Sequence, residues 1–217
     1  MKFYHTKTLT ILLVTLFFIS CGLTDDDEAV SSPSLTYPVT NLSAIFFEEG
    51  NSQPPTITWN GNQGTISLSS SIEGLSVNSS TGVLNWDKQL NPGDYTFDVI
   101  ATNSAGQTSV SFNLSNPLQG TFTGTFSGSS FFELEFNSDG TLVVRANADN
   151  PDLGSGTWEL ANDILTADYT YDDTGNEYSI SGLLEQSSTQ VIYTGNWYYG
   201  HGAEEANEAD VFEVIME

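Results

Sequence analysis

Basic residues are nearly missing from this chain. Four lysines and arginines stand against 28 aspartates and glutamates, a formal charge of −24. A nucleic-acid reader needs a basic footprint to displace counterions from phosphate, so that class of partner is excluded. Cysteine occurs once, at Cys21, which rules out a disulfide within the chain. Histidine occurs twice, and no motif sets a serine beside His201 with an orienting acid, leaving nucleophilic catalysis little material. No glycine-rich loop follows a strand and opens a helix, which removes the nucleotide-binding readings. Nor does any stretch repeat apolar residues at i, i+3 and i+4 over several turns. What is present is 12% aromatic and 38% hydrophobic residues, enough for a folded core and unlike a disordered acidic tail.

The one long apolar run, Thr10 to Ile19, is too short for a membrane span of about 20 residues. A basic start with Lys2 and Lys7 precedes it, and Phe18-Ile19-Ser20 leads into Cys21. This is the layout of a cleaved signal, residues 1–20, with the cut before a cysteine. It resembles the bacterial lipoprotein signal, with Phe18 where that family usually has leucine. The resemblance implies a lipid on Cys21 and attachment to a membrane through it. The following run Asp25-Asp26-Asp27-Glu28 is repelled by anionic headgroups and stands off the membrane. It is similar to the acidic export tag of Gram-negative lipoproteins that face outward. Residues 21–34 are read as a lipidated acidic tether, and the expected location is the outer membrane, facing the cell exterior. Loss of the signal leaves Lys88 and Arg145 against 28 acids, or −26. Such a field favours solubility and draws divalent cations or basic partners.

Past the tether the pattern is strand alternation broken by Gly, Asn, Asp and Ser, which makes the fold all-β. Residues 35–116 form one unit. Tyr95, Phe97, Val99 and Ala101 alternate along a long strand with a buried face, Asn103-Ser104-Ala105-Gly106 is a turn, and Gln107 to Leu114 returns antiparallel. Two short strands flank the Ser80-Thr81-Gly82 turn, and short strands with frequent turns predict a sandwich. The strings GLSVNSSTGVLNW and GDYTFDVIATNSAGQTSVSF resemble the immunoglobulin-like, cadherin-like modules of bacterial surface proteins. The resemblance implies a seven-stranded sandwich used as a spacer or in adhesion. Cadherin relatives bind calcium near domain junctions, but Asn103-Ser104 and Asn116-Pro117 stand where the acidic residues would be. Asp87, Asp94 and Asp98 are the remaining candidate ligands, or else solvated carboxylates.

Residues 117–217 read as a meander of about eight strands. They centre on Thr121–Phe126, Phe132–Phe136, Leu142–Ala146, Trp158–Leu160, Leu165–Tyr171, Tyr178–Leu184, Val191–Trp197 and Val211–Met216. Asn137-Ser138-Asp139-Gly140, Asn162-Asp163 and Asp173-Thr174-Gly175-Asn176 are the turns. Strands in sequence order favour a small up-and-down barrel, closed, flattened or open. GTFTGTF, FNSDGTL, GSGTWEL and TGNWYYG resemble lipocalin-like or avidin-like barrels, and any internal pocket is expected to be small.

The candidate binding site is the segment from Trp197 to Asp210. Trp197, Tyr198 and Tyr199 are consecutive, so a strand sends Tyr198 to the face opposite the other two. An exposed aromatic there would stack on a sugar or anchor a partner protein; the alternative is packing between barrel and sandwich. His201 follows them. Glu204, Glu205, Glu208 and Asp210 are the candidate Ca²⁺ ligands, since hard cations take about 6–8 oxygens, or a solvated acidic loop. Trp59, Trp86 and Trp158 are read as core. The expected function is that of a lipid-anchored surface binding or adhesion protein, not an enzyme, with the sandwich as spacer and the barrel as binding module. The alternatives are a purely structural envelope protein or a carbohydrate-active enzyme using paired carboxylates.

Overall fold

Alternation with period two, punctuated by turn residues, leaves the chain little choice but antiparallel sheet. The computed structural model describes residues 30–217. The signal segment, Cys21 and the acidic run Asp25–Glu28 lie outside the described residues. Helical structure among the described residues is one 3₁₀ turn, Glu205–Asn207.

The first module holds β1 (Ser34–Thr36), β2 (Asn41–Ser43), β3 (Gly50–Asn51), β4 (Thr56–Thr58) and β5 (Thr65–Leu68). It continues with β6 (Leu75–Val77), β7 (Leu84–Trp86), β8 (Gly93–Asn103) and β9 (Gly106–Asn116). One sheet runs β2-β9-β8-β5, with β2 parallel to β9, and β3-β7-β6 and β1-β4 form the smaller sheets. Nine strand segments, seven short and two of eleven residues, thus stand where the resemblance implied seven strands. Phe97, Val99, Ala101, Phe112 and Leu114 fill the core between the sheets. Trp59 and Trp86 pack against that core.

The second module is a closed barrel of eight antiparallel strands in sequence order. These are β10 (Gly120–Phe126), β11 (Ser130–Phe136), β12 (Thr141–Ala146) and β13 (Asp152–Ala161), then β14 (Ile164–Tyr171), β15 (Glu177–Gln186), β16 (Val191–Tyr199) and β17 (Glu208–Met216). Asn162 and Asp163, both at positive φ (51° and 66°), make the two-residue β13–β14 hairpin. β17 pairs with β10 and closes the ring, so neither the flattened nor the open form is adopted. Phe122, Leu134, Phe136, Val144, Leu165, Ile180 and Val214 pack the interior, and buried Tyr193 donates its hydroxyl to the Leu165 carbonyl (2.8 Å). Outward positions are mainly polar, with Thr121, Thr123, Glu133, Glu135, Thr157, Glu159, Thr166 and Asp168 among them, and exposed Leu153, Ile164, Leu183 and Val211 are scattered between. An apolar inside and polar outside is the reverse of a membrane-spanning barrel.

So narrow a barrel needs tight curvature, and glycines supply it. Gly182 on β15 and Gly195 on β16 are register partners. A Cβ on Gly182 would stand 2.1 Å from the Thr194 carbonyl oxygen, and one on Gly195 2.1 Å from that of Ser181.

The two modules meet at the barrel end formed by the Asn162-Asp163 hairpin and the C-terminal end of β15. There Phe46 and Phe47, from the loop between β2 and β3, belong to the barrel's core, 1% and 3% exposed. Phe47 has φ +61°, and the turn is closed by Glu48 N–H to the Ile45 carbonyl (3.1 Å). Extended backbone would send neighbouring side chains to opposite faces; the left-handed turn sends both rings into the barrel. Burying each ring contributes about 1.5–3 kcal/mol, against a backbone cost of order 1–3 kcal/mol. Lys88 Nζ lies 4.3 Å from the centre of the Phe47 ring. The Gln186 amide donates to the Lys88 and Leu90 carbonyls, and the Asn116 amide to those of Leu90 and Asn91.

Candidate functional site

The opposite end of the barrel is lined with aromatic rings. Inward positions alternate along each strand, and at this end they are Phe126 on β10, Phe132 on β11, Tyr169 and Tyr171 on β14, Tyr178 on β15 and Trp197 on β16. Five of these rings close a circuit. Centroid separations are 5.4 Å from Phe126 to Phe132, 6.5 Å on to Tyr169, 5.8 Å to Tyr178, 5.9 Å to Trp197 and 5.9 Å back to Phe126. Tyr171 packs edge-on against Tyr169 and Tyr178. A cavity of about 90 Å³ is lined by these six side chains. That is well below the ~300–1,000 Å³ of a site for a drug-sized molecule, so the cup suits a compact head group.

Trp197 is held from two sides. Its Nε1 donates to Ser127 Oγ (3.3 Å), and a register shift opposite Trp197 and Tyr198 leaves Ala209 of β17 unpaired. Bulges of this kind turn side chains at barrel rims. Tyr199 packs on Trp197 with centroids 5.1 Å apart and is 58% exposed, forming the rim. Tyr198 faces outward; burial, then Glu208 and Glu205, push its hydroxyl above the usual range. The alternation expected for the three aromatics holds, but they sit at the end away from the sandwich and are not packed against it. Burial raises the Tyr171 hydroxyl to about 12, with Asp152 and Asp173 adding to the shift, and burial raises Tyr169 well above its ordinary value. No acidic or basic side chain lines the cup, while Asp152 and Asp173 lie close enough to act on Tyr171.

His201 is not part of it. The chain turns outward at Gly200, and His201 Nε2 donates to the Tyr169 carbonyl (3.2 Å) on the outer wall. The Gly202 amide donates to Asp168 Oδ1 (2.8 Å) and the Ala203 amide to Ser179 Oγ (2.8 Å). Ser179, 1% exposed, donates in turn to the Gly200 carbonyl (2.9 Å). The loop is tied to β14 and β15 and leaves the cup uncovered.

Glu204, Glu205, Glu208 and Asp210 are all exposed. Among the described residues no three or more His, Cys, Asp or Glu side chains gather closely enough to hold a metal ion. The expected calcium ligands are neighbours in sequence without converging in space, because the 3₁₀ turn and the start of β17 spread them along the rim. Asp87 caps the Gln89 amide and Asp98 accepts from Ser111, so both are occupied locally. Trp158 packs on Phe136 near the sandwich end, its indole donating to the Asn137 carbonyl (3.0 Å).

A wider depression of about 440 Å³ lies on the sandwich, lined by Glu49, Gly50, Asn51, Ser76, Asn85, Trp86 and Asp87. It is shallow and mostly polar, and it lacks the enclosure of the cup.

A family model described as "Putative Ig domain" matches residues 73–117. That stretch holds β6 to β9, and the first module is immunoglobulin-like. The chain is similar to the EC1-2 fragment of human protocadherin-24, at 8% identity over 86% of this chain and 96% of that one, with a TM-score of 0.38. It is also similar to a quinonprotein alcohol dehydrogenase-like protein from Bacteroides thetaiotaomicron, at 10% identity over 85% of this chain and 61% of that one, with a TM-score of 0.31. No curated protein matches it.

Proposed function

We propose that this is a lipid-anchored binding protein of the outer cell surface, in which the sandwich is a spacer and the far mouth of the barrel captures a small ligand group without a catalytic step. The observation that carries this reading is the asymmetry of the barrel's two ends. One is stoppered by Phe46 and Phe47, and the other opens as an aromatic cup. The direction of the chain supports display. Ser31 bonds to Asn60 and Asn103 at the sandwich pole away from the barrel. From there β8 runs eleven residues to the junction, about 35 Å at ~3.3 Å per residue. Tether, spacer, barrel and mouth then follow one another outward from the membrane. Cys21 supplies the anchor, and the acidic run after it keeps the tether off the headgroups.

The test is an amide and indole NMR screen of the full-length chain with small probes: hexoses, amino acids, short carboxylates and alkylamines. Shifts confined to Trp197, Tyr199, Tyr178 and their strand neighbours are expected with at least one class. Shifts only beside Trp86, or none from any class, would overturn the reading. Anchoring has its own readout, since Cys21→Ser is expected to abolish palmitate incorporation and release the protein from the membrane fraction.

A further inference from the structure

We infer that the barrel mouth recognises a methylated ammonium group, the head of a quaternary amine. This rests on reading the mouth as a binding site and adds the chemistry of its ligand. An aromatic ring is negative on its face, and a cation within ~6 Å of the centroid is attracted to it. For a regular circuit of five rings with the edge lengths given above, the centre stands about 5 Å from every centroid. A methylated ammonium spreads its charge over apolar methyls, so it enters an apolar cup at lower desolvation cost than a bare ammonium would.

The lining also argues against the other ligands that aromatic residues bind. A sugar needs amide or carboxylate partners around its hydroxyls, and the six lining residues offer phenol hydroxyls and one indole N–H that is given to Ser127. A plain apolar group would fit the cup but has no use for the charge around it. Asp152 and Asp173 act on Tyr171, and Glu205 and Glu208 on Tyr198 just below the rim. Among the described residues the basic side chains are engaged elsewhere. Arg145 is held on the outer wall by Glu133 (2.9 Å) and Glu135 (2.8 Å), and Lys88 lies against Phe47 at the stoppered end.

The experiment titrates the full-length chain with choline and, separately, with 3,3-dimethylbutan-1-ol, its uncharged isostere, following the methyl protons by NMR. The choline methyl signal is expected to move upfield and saturate, with the isostere binding about tenfold or more weakly. Added salt should weaken choline and leave the isostere unchanged. Trp197→Leu and Tyr178→Leu are expected to abolish the choline shift. The pair Asp152→Asn with Asp173→Asn leaves the cup intact and is expected to weaken choline several-fold without affecting the isostere, so the inference stays testable should a ring variant unfold. Equal affinity for the two probes would overturn the cationic ligand while leaving the mouth a binding site. Mouth shifts with N-acetylglucosamine and none with choline would replace the cation by a sugar. Silence from all three probes would overturn this inference, and a silent fragment screen would overturn the binding site as well.

Discussion

Phe47 holds a left-handed backbone that bulky side chains rarely take, and its reward is a place in the core of a module other than its own. Phe47→Ala keeps the awkward φ and loses the ring. It is expected to cost about 3–5 kcal/mol, as for buried Phe→Ala elsewhere, and the loss should register in urea unfolding followed through the barrel's Trp158 and Trp197. An effect confined to sandwich signals would show that the ring does not stopper the barrel. Tyrosine sets the alkaline limit. Tyr37, which donates to the Gly82 carbonyl, and Tyr171 are both raised to about 12 from 10.0 by burial. With the folded value above the unfolded one, their contribution is complete below about pH 10 and is lost as pH rises toward 12. The melting midpoint should stay level between pH 7 and 10 and fall beyond it. Tyr37→Phe should fall less steeply over that window, and an unchanged slope would refute the assignment.

The strands of the barrel turn on glycine where two of them come closest. Gly195→Val places a branched side chain against the Ser181 carbonyl and the Gly182 backbone. It is expected to exceed the usual overpacking cost of about 1–3 kcal/mol and to weaken near-ultraviolet dichroism as the wall opens; a variant as stable as the parent would show that the curvature lies elsewhere. The strands themselves were legible in the sequence because period-two alternation and turn residues are local signals. The eight barrel segments and their hairpins lie where Phe132-Leu134-Phe136, Asn162-Asp163 and their like predict them. The stopper was not legible, since the core partners of Phe46 and Phe47 lie at distant positions in the chain. The site was half legible. Trp197 and Tyr199 stand out as neighbours, whereas Phe126, Phe132, Tyr169, Tyr171 and Tyr178 each look like ordinary core until closure brings five strands together. His201 misleads for the opposite reason: it is close in sequence to Trp197 and on the other side of the wall.

For the molecule as a whole, charge dominates the response to solution conditions. With 28 acids and four bases, self-repulsion weakens the compact state, and any salt should raise the melting midpoint by screening it. Since Glu204, Glu205, Glu208 and Asp210 do not converge, Ca²⁺ and Mg²⁺ at matched ionic strength are expected to act alike. A saturable rise specific to Ca²⁺ would restore the calcium reading.

The closure of the barrel by β10 and β17 also bears on how the protein is made. A chain delivered from its N-terminus has every strand of the sandwich in hand long before Glu208 arrives, and modules fold as they emerge. Until the last strand is delivered, β10 keeps an unpaired edge of the kind that recruits foreign strands, and Phe46 and Phe47 have nothing to cover them. A message truncated between β11 and β17 therefore yields a product with a finished sandwich, an adhesive edge and two bare rings. To chaperones and proteases, such a chain is marked as incomplete.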